Sequence, residues 1–99
     1  MASATDKTLK VGIGGLGTIG STLVRRLNEG IAGLCLSAVS VRDPDKIYPV
    51  IKKLNVTPKI VGLGELAEIT DVVVECAPST VFDEIAGPAI DAGRIFVPA

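Results

Sequence analysis

Five glycines crowd the stretch Leu9-Lys10-Val11-Gly12-Ile13-Gly14-Gly15-Leu16-Gly17-Thr18-Ile19-Gly20, which opens as an apolar strand and closes as a helix. Two registers satisfy the pattern G-x-G-x-x-G: Gly12/Gly14/Gly17 and Gly15/Gly17/Gly20. The second is preferred because it leaves Leu9 to Gly14 as the strand and opens the helix at Gly17. Each glycine then has its own task. Gly15 makes the tight turn, Gly17 lets the backbone approach a pyrophosphate, and Gly20 lets the helix pack close to the strand. Leu16, Thr18 and Ile19 complete the turn, and the free amides at the positive end of the helix dipole would face the phosphates. The spacing predicts a dinucleotide site over residues 15–20. A glycine-rich turn that merely packs a strand on a helix is the plainer alternative.

Apolar runs alternate with helical patterns along the rest of the chain. Thr18 to Asn28 reads as a helix with Ile19, Leu23, Val24 and Leu27 on one stripe and Gly30 as its stop. Leu34 to Val41 reads as a second strand, small and branched enough to be covered on both faces. Asp43-Pro44 has the form of an N-cap followed by proline at the first helical position, and that helix carries Ile47, Val50, Ile51 and Leu54 inward. Lys59 to Val61 is a short third strand, Leu63 to Ile69 a helical turn, and Asp71 to Cys76 a fourth strand. Ser79 or Thr80 caps another helix, with Thr80 and Asp83 at capping-box spacing. Pro88 should break or kink it near Gly87, Gly93 should end it, and Arg94 to Val97 begins a fifth strand. Such alternation predicts a Rossmann-type, doubly wound α/β fold with a parallel sheet ordered 3-2-1-4-5. The expected organisation is a flexible tail over 1–8 and an NAD(P)-binding domain over 9–99, with the sixth strand and any substrate domain missing.

Composition narrows the function classes. The 99 residues are 47% hydrophobic and 21% charged, as expected of one small globular domain. A net charge of -1 gives no basic footprint for nucleic acid. No apolar run approaches the roughly 18 residues of a membrane span, and the N-terminus has no signal-peptide core, so a cytoplasmic location is expected. There is no histidine and no cysteine-rich metal spacing, so neither imidazole catalysis nor a metal site is expected. Cys35 and Cys76 fall on strands either side of the first, about 9.6 Å apart at two inter-strand spacings. A disulfide needs roughly 7 Å or less, so both should be buried, reduced thiols.

The end of the second strand governs cofactor choice in this fold. A carboxylate there accepts from the ribose 2′-hydroxyl of NAD, whereas an arginine accommodates the 2′-phosphate of NADP. If Val41 closes the strand, no acid occupies the position, and Arg42 next to it could stack on adenine or pair with the phosphate. Asp43, about 23 residues after Gly20, is either the NAD acid or the helix cap. NAD and NADP both stay open. At the end of the fourth strand, Ala77 and Pro78 would line the nicotinamide side, and Ser79 could cap a helix or touch the cofactor. Glu75 is an acid in an apolar strand and must find a partner or water. Cys76 reads as a small buried hydrophobe rather than a nucleophile.

With those residues in view, the chain resembles the N-terminal domain of the aspartate dehydrogenase family. The segments that carry the resemblance are Gly15-Leu16-Gly17-Thr18-Ile19-Gly20, Ala38-Val39-Ser40-Val41-Arg42-Asp43-Pro44, Val73-Val74-Glu75-Cys76-Ala77-Pro78 and Ala92-Gly93-Arg94-Ile95-Phe96-Val97-Pro98. The resemblance implies NAD(P)-dependent interconversion of L-aspartate and iminoaspartate, which hydrolyses to oxaloacetate and ammonia. It also implies a homo-oligomeric full-length enzyme whose acid/base histidine and amino-acid substrate pocket belong to a second domain. No catalytic residue is therefore assigned in this chain. Homoserine, sugar and inositol dehydrogenases share a similar first domain. Two other classes compete: a nucleotide-sensing regulatory module without redox chemistry, and a methyltransferase, against which Gly20 and the missing acid at Val41 both speak.

Overall fold

The structure, a computed structural model, describes residues 8–15, 17–76 and 82–98. β1 (Leu9–Gly14) lies at the centre of a five-stranded parallel sheet, flanked by β2 (Leu34–Ser40) and β4 (Val72–Glu75), with β3 (Lys59–Ile60) and β5 (Ile95–Pro98) at the edges. The order β3-β2-β1-β4-β5 is the one the alternation predicts. The chain builds outward from β1 to β3, then crosses back to start again at β4. Its reversal point therefore falls between β1 and β4, where open sheets of this kind carry their ligands. Gly14 ends β1 in register with Ser40 on one side and Glu75 on the other.

Helices cover both faces. α1 (Thr18–Glu29) follows β1, and its buried positions Gly20, Val24 and Leu27 recur at helical spacing toward the sheet. α2 (Pro44–Ile51) follows β2. Ile47 is buried, while Ile51 and Leu54, the latter just beyond the helix, pack on the same core as Val11, Ile13, Val24, Leu27, Leu36 and Val39. On the other face, a 3-10 turn at Leu63–Glu65 leads into the short α3 (Leu66–Ile69), and α4 (Phe82–Asp91) follows β4.

This second layer is built from small residues and sits close to the sheet. Ala38, Ala67 and Ala89 are buried there with Leu66, Val73 and Ile85. A Cβ on Gly12 would come 2.8 Å from Thr70 Cγ2, and one on Gly14 would come 2.9 Å from Ile85 Cδ1. Those two glycines are taken up by packing, which leaves Gly15/Gly17/Gly20 as the turn.

Most boundaries agree with the periodicity to within a residue or two. β2 closes at Ser40 rather than Val41, because the last bond on that side runs from the Gly15 amide to the Ser40 carbonyl and the chain then turns away. α4 does not break near Gly87. It continues through Pro88 to Asp91: the lost donor and the crowding of the proline ring are offset by buried Ile85, Ala86 and Ala89, which hold the helix on both sides. It ends at Gly93 (φ +70°), where the Gly93 amide donates to Ile90 and the Arg94 amide to Ala89, a Schellman arrangement. The cap expected at Ser79 or Thr80, with its capping box to Asp83, lies outside the described residues. Both cysteines are free, as expected, but half-buried rather than buried. No helix among the described residues is long and apolar enough to cross a membrane.

Candidate functional site

The carboxyl edge of the sheet is pinned at its centre. The Gly15 amide donates to the Ser40 carbonyl at 2.7 Å, and the Cys76 amide donates to the Gly14 carbonyl at 2.8 Å. β2 and β4 thus hold the start of the glycine turn from both sides. Gly15 then adopts φ +95°, a conformation costly for any residue with a Cβ.

Gly17 is the N-cap of α1, with φ -68° and ψ -163°, and its carbonyl accepts the first helical bond from Ser21 at 2.9 Å. Among the described residues no side chain caps this helix, and its first turn carries no acid. The amides that a helix start leaves unpaired have no partner among those residues and can serve a ligand. A Cβ placed on Gly17 meets nothing within 4 Å among the described residues. Space that the described residues do not fill at a helix N-terminus is space a phosphate can use.

Gly20 is the opposite case. A Cβ there would run into the carbonyl oxygen of Gly15 and approach Cys76 Cβ to 3.4 Å. Backbone cannot yield as a flexible side chain can, so Gly20 is required by the approach of α1 to the sheet.

Beside this turn, the end of β2 supplies Val41, half-buried, then Arg42 and Asp43, both exposed. Asp43 caps α2: its Oδ1 accepts from the Asp45 amide at 3.2 Å, with Pro44 at the first helical position. Thr18 and Ile19 lie in the first turn of α1. Leu16, Ala77, Pro78 and Ser79 lie outside the described residues.

Sequence reasoning overlooked Ser40, 3% exposed, whose carbonyl anchors the turn; the parity of β2 could have pointed to it. Cys76, expected as a small buried hydrophobe, is half-buried and lies near Gly20 through strand order. Burial, and then the charge of neighbouring Glu75, push the Cys76 thiol above its ordinary value. It is therefore an uncharged filler at neutral pH.

The homoserine dehydrogenase NAD-binding domain family matches residues 15–99, from the first glycine of the turn onward. The chain belongs to this family. Among relatives of this NAD-binding domain, L-aspartate dehydrogenase of Bradyrhizobium diazoefficiens is 42% identical over 97 residues, covering 94% of this chain and 34% of the relative. L-aspartate dehydrogenase 3 of Bordetella bronchiseptica is 47% identical over 93 residues, covering 92% and 34%. The chain thus spans about a third of the length of the curated relatives it matches. Among solved structures, apo scyllo-inositol dehydrogenase of Lactobacillus casei superposes with TM-score 0.82 at 25% identity, over 95% of this chain and 29% of that one. The same enzyme with bound NAD(H) and scyllo-inositol superposes with TM-score 0.80 at 24% identity, over 93% of this chain and 28% of that one, a likeness of fold.

Proposed function

We propose that this chain is the dinucleotide-binding part of an NAD(P)-dependent L-aspartate dehydrogenase. The observation that carries the reading is the start of α1 at Gly17, where the described residues supply neither a side-chain cap nor an atom within 4 Å of an added Cβ. The two L-aspartate dehydrogenase relatives at 42% and 47% identity supply the substrate class.

In this reading the amides of residues 16–20 hold the pyrophosphate, while Gly15, whose amide donates to the Ser40 carbonyl, and Gly20 keep the turn in place. Val41, Arg42 and Asp43 lie beside the adenine ribose, with Arg42 the group suited to stack on adenine or to pair with a 2′-phosphate. Ala77, Pro78 and Ser79 border the nicotinamide side. NAD(P), when bound, supplies the two-electron oxidant that turns the amino acid into its imine, which water converts to oxaloacetate and ammonia. The acid/base group and most of the substrate pocket belong to a further domain. Two free thiols suit the reducing cytoplasm, where we place the enzyme. The β5 edge, with Ile95 and Val97 exposed, suits an assembly of more than one copy or domain.

Parallel calorimetric titrations with NADH and NADPH test the reading. Saturable binding of either ligand supports it, and the ratio of affinities reports what Val41 and Arg42 do. An intact fold with no binding at millimolar ligand overturns the cofactor role of the turn.

A further inference from the structure

Among the described residues, Ser40, Thr70 and Glu75 bury a polar side chain, and Glu75 is the one that carries a charge. The Thr70 hydroxyl donates to the Leu66 carbonyl. The Glu75 carboxylate, on a residue only 6% exposed, has no such partner among the described residues. Glu75 is the last residue of β4, and strand parity turns it, with Val73, toward the layer of α3 and α4. Its neighbours across the sheet are Gly14 on β1 and Pro98 on β5. Neither has a polar side chain, and a proline has no amide to donate. The buried side chains of the covering layer, Leu66, Ala67, Ile85 and Ala89, are apolar. A carboxylate in such surroundings is costly unless donors reach it. Because β4 ends at this residue, the side left for donors is the carboxyl edge of the sheet, where open sheets of this kind receive their ligands.

Position selects the ligand group. A dinucleotide whose pyrophosphate rests on the turn after β1 passes next over β4, one strand spacing of about 4.8 Å away. On that side the group that follows the pyrophosphate is the ribose of the nicotinamide nucleoside, which carries two adjacent hydroxyls. An ionised carboxylate only accepts, at two oxygens, so a vicinal diol is its complement. We propose that the Glu75 carboxylate accepts hydrogen bonds from the 2′- and 3′-hydroxyls of the nicotinamide ribose. The inference rests on the dinucleotide reading and deepens it. The carboxylate is desolvated when the chain folds, so the bonds form in a low dielectric, where charge-assisted ones are short and strong. They hold the ribose against the end of β4, and with it the nicotinamide ring. A ligand without the second ribose draws nothing from Glu75.

The test compares three ligands by calorimetry on the parent chain and on Glu75→Gln, with circular dichroism to check the fold. The ligands are NADH, ADP-ribose and the β-methyl ester of ADP, which keeps the pyrophosphate diester and lacks the second ribose. The parent is expected to bind ADP-ribose about tenfold more tightly than the methyl ester, the scale of a hydrogen bond to a charged group. In Glu75→Gln that advantage should vanish: NADH and ADP-ribose weaken about tenfold, while the methyl ester stays within about twofold of the parent. An equal loss for all three ligands overturns the proposal, because the residue then supports the turn and not the diol. Unchanged affinity for all three overturns it as well. If the glutamine variant does not fold, the parent decides, and equal affinity for ADP-ribose and the methyl ester overturns the proposal. A parent chain that binds none of the three overturns the dinucleotide reading instead, so the two failures are distinguishable.

Discussion

After β1 and after β2 the chain makes the same move, leaving a parallel strand and entering a helix through three residues at the same edge of the sheet, 15–17 in one case and 41–43 in the other. The two turns touch, through the bond from the Gly15 amide to the Ser40 carbonyl. Their helix starts are finished in opposite ways. At α2, Asp43 accepts from the Asp45 amide, and Pro44 removes a donor that would otherwise be unpaired. At α1 the described residues supply no cap, no proline and no acid, only Gly17, with no described atom where a side chain would be. A helix N-terminus that its own chain satisfies is structural, while one left unsatisfied can receive an anion. The contrast picks out the start of α1, not that of α2, as the candidate site.

The largest effect should come from filling the open turn. Gly17→Val is expected to weaken NADH binding by at least about 100-fold, or ~2.7 kcal/mol. Unfolding free energy should change by less than about 1 kcal/mol, since Gly17 has an extended backbone open to any residue. Calorimetry and urea denaturation on the same sample check both halves; unchanged affinity would sink the role given to Gly17.

Gly20→Ala should do the reverse and strike stability first. Overpacking against the Gly15 carbonyl should cost about 2 kcal/mol in urea denaturation, with binding falling as a consequence. If stability survives while binding fails, Gly20 belongs with Gly17, and the division between packing and ligand glycines collapses.

At the second turn, Arg42→Glu is expected to weaken NADPH about tenfold more than NADH, a difference of ~1.4 kcal/mol. Equal losses would show that Arg42 does not read the 2′ position. The smallest effect is reserved for the cap. Asp43→Ala should lower stability by about 1 kcal/mol and leave NADH affinity within twofold. A selective tenfold loss of NADH would instead make Asp43 the ribose acid and open the second turn to ligand as well.

The fold was legible because it is written in local pattern. Period-two and period-3.6 apolar spacing placed β1, α1, β2 and α2, and right-handed crossovers then left one strand order. The misplacements have particular causes. The end of β2 was set a residue late at Val41, because Val41 is as good a strand former as Val39 and only the turn at Gly15 ends the pairing. The expectation of a kink or break near Gly87 followed from a sound local rule; the break does not occur, because buried Ile85, Ala86 and Ala89 hold α4 together through Pro88. In the candidate site, the choice between glycine registers and the separate tasks of Gly17 and Gly20 followed from the motif and strand length. The groups that Gly20 meets, the Gly15 carbonyl and Cys76, did not.

Residue type and near neighbours suffice wherever the controlling physics is local. A positive φ selects glycine at 15 and 93, a carboxylate followed by proline caps α2, and a repeating apolar position turns a face inward. Contacts between distant parts of the chain obey no such local rule. The backbone amide of Lys10 donates to the Asp71 carboxylate 61 residues away, Gly12 and Gly14 fill against Thr70 and Ile85, and Gly20 comes near Cys76 only once β4 lies beside β1. Close packing decides such contacts because two atoms cannot share a volume, and which atoms compete for it is known only when the layers have come together.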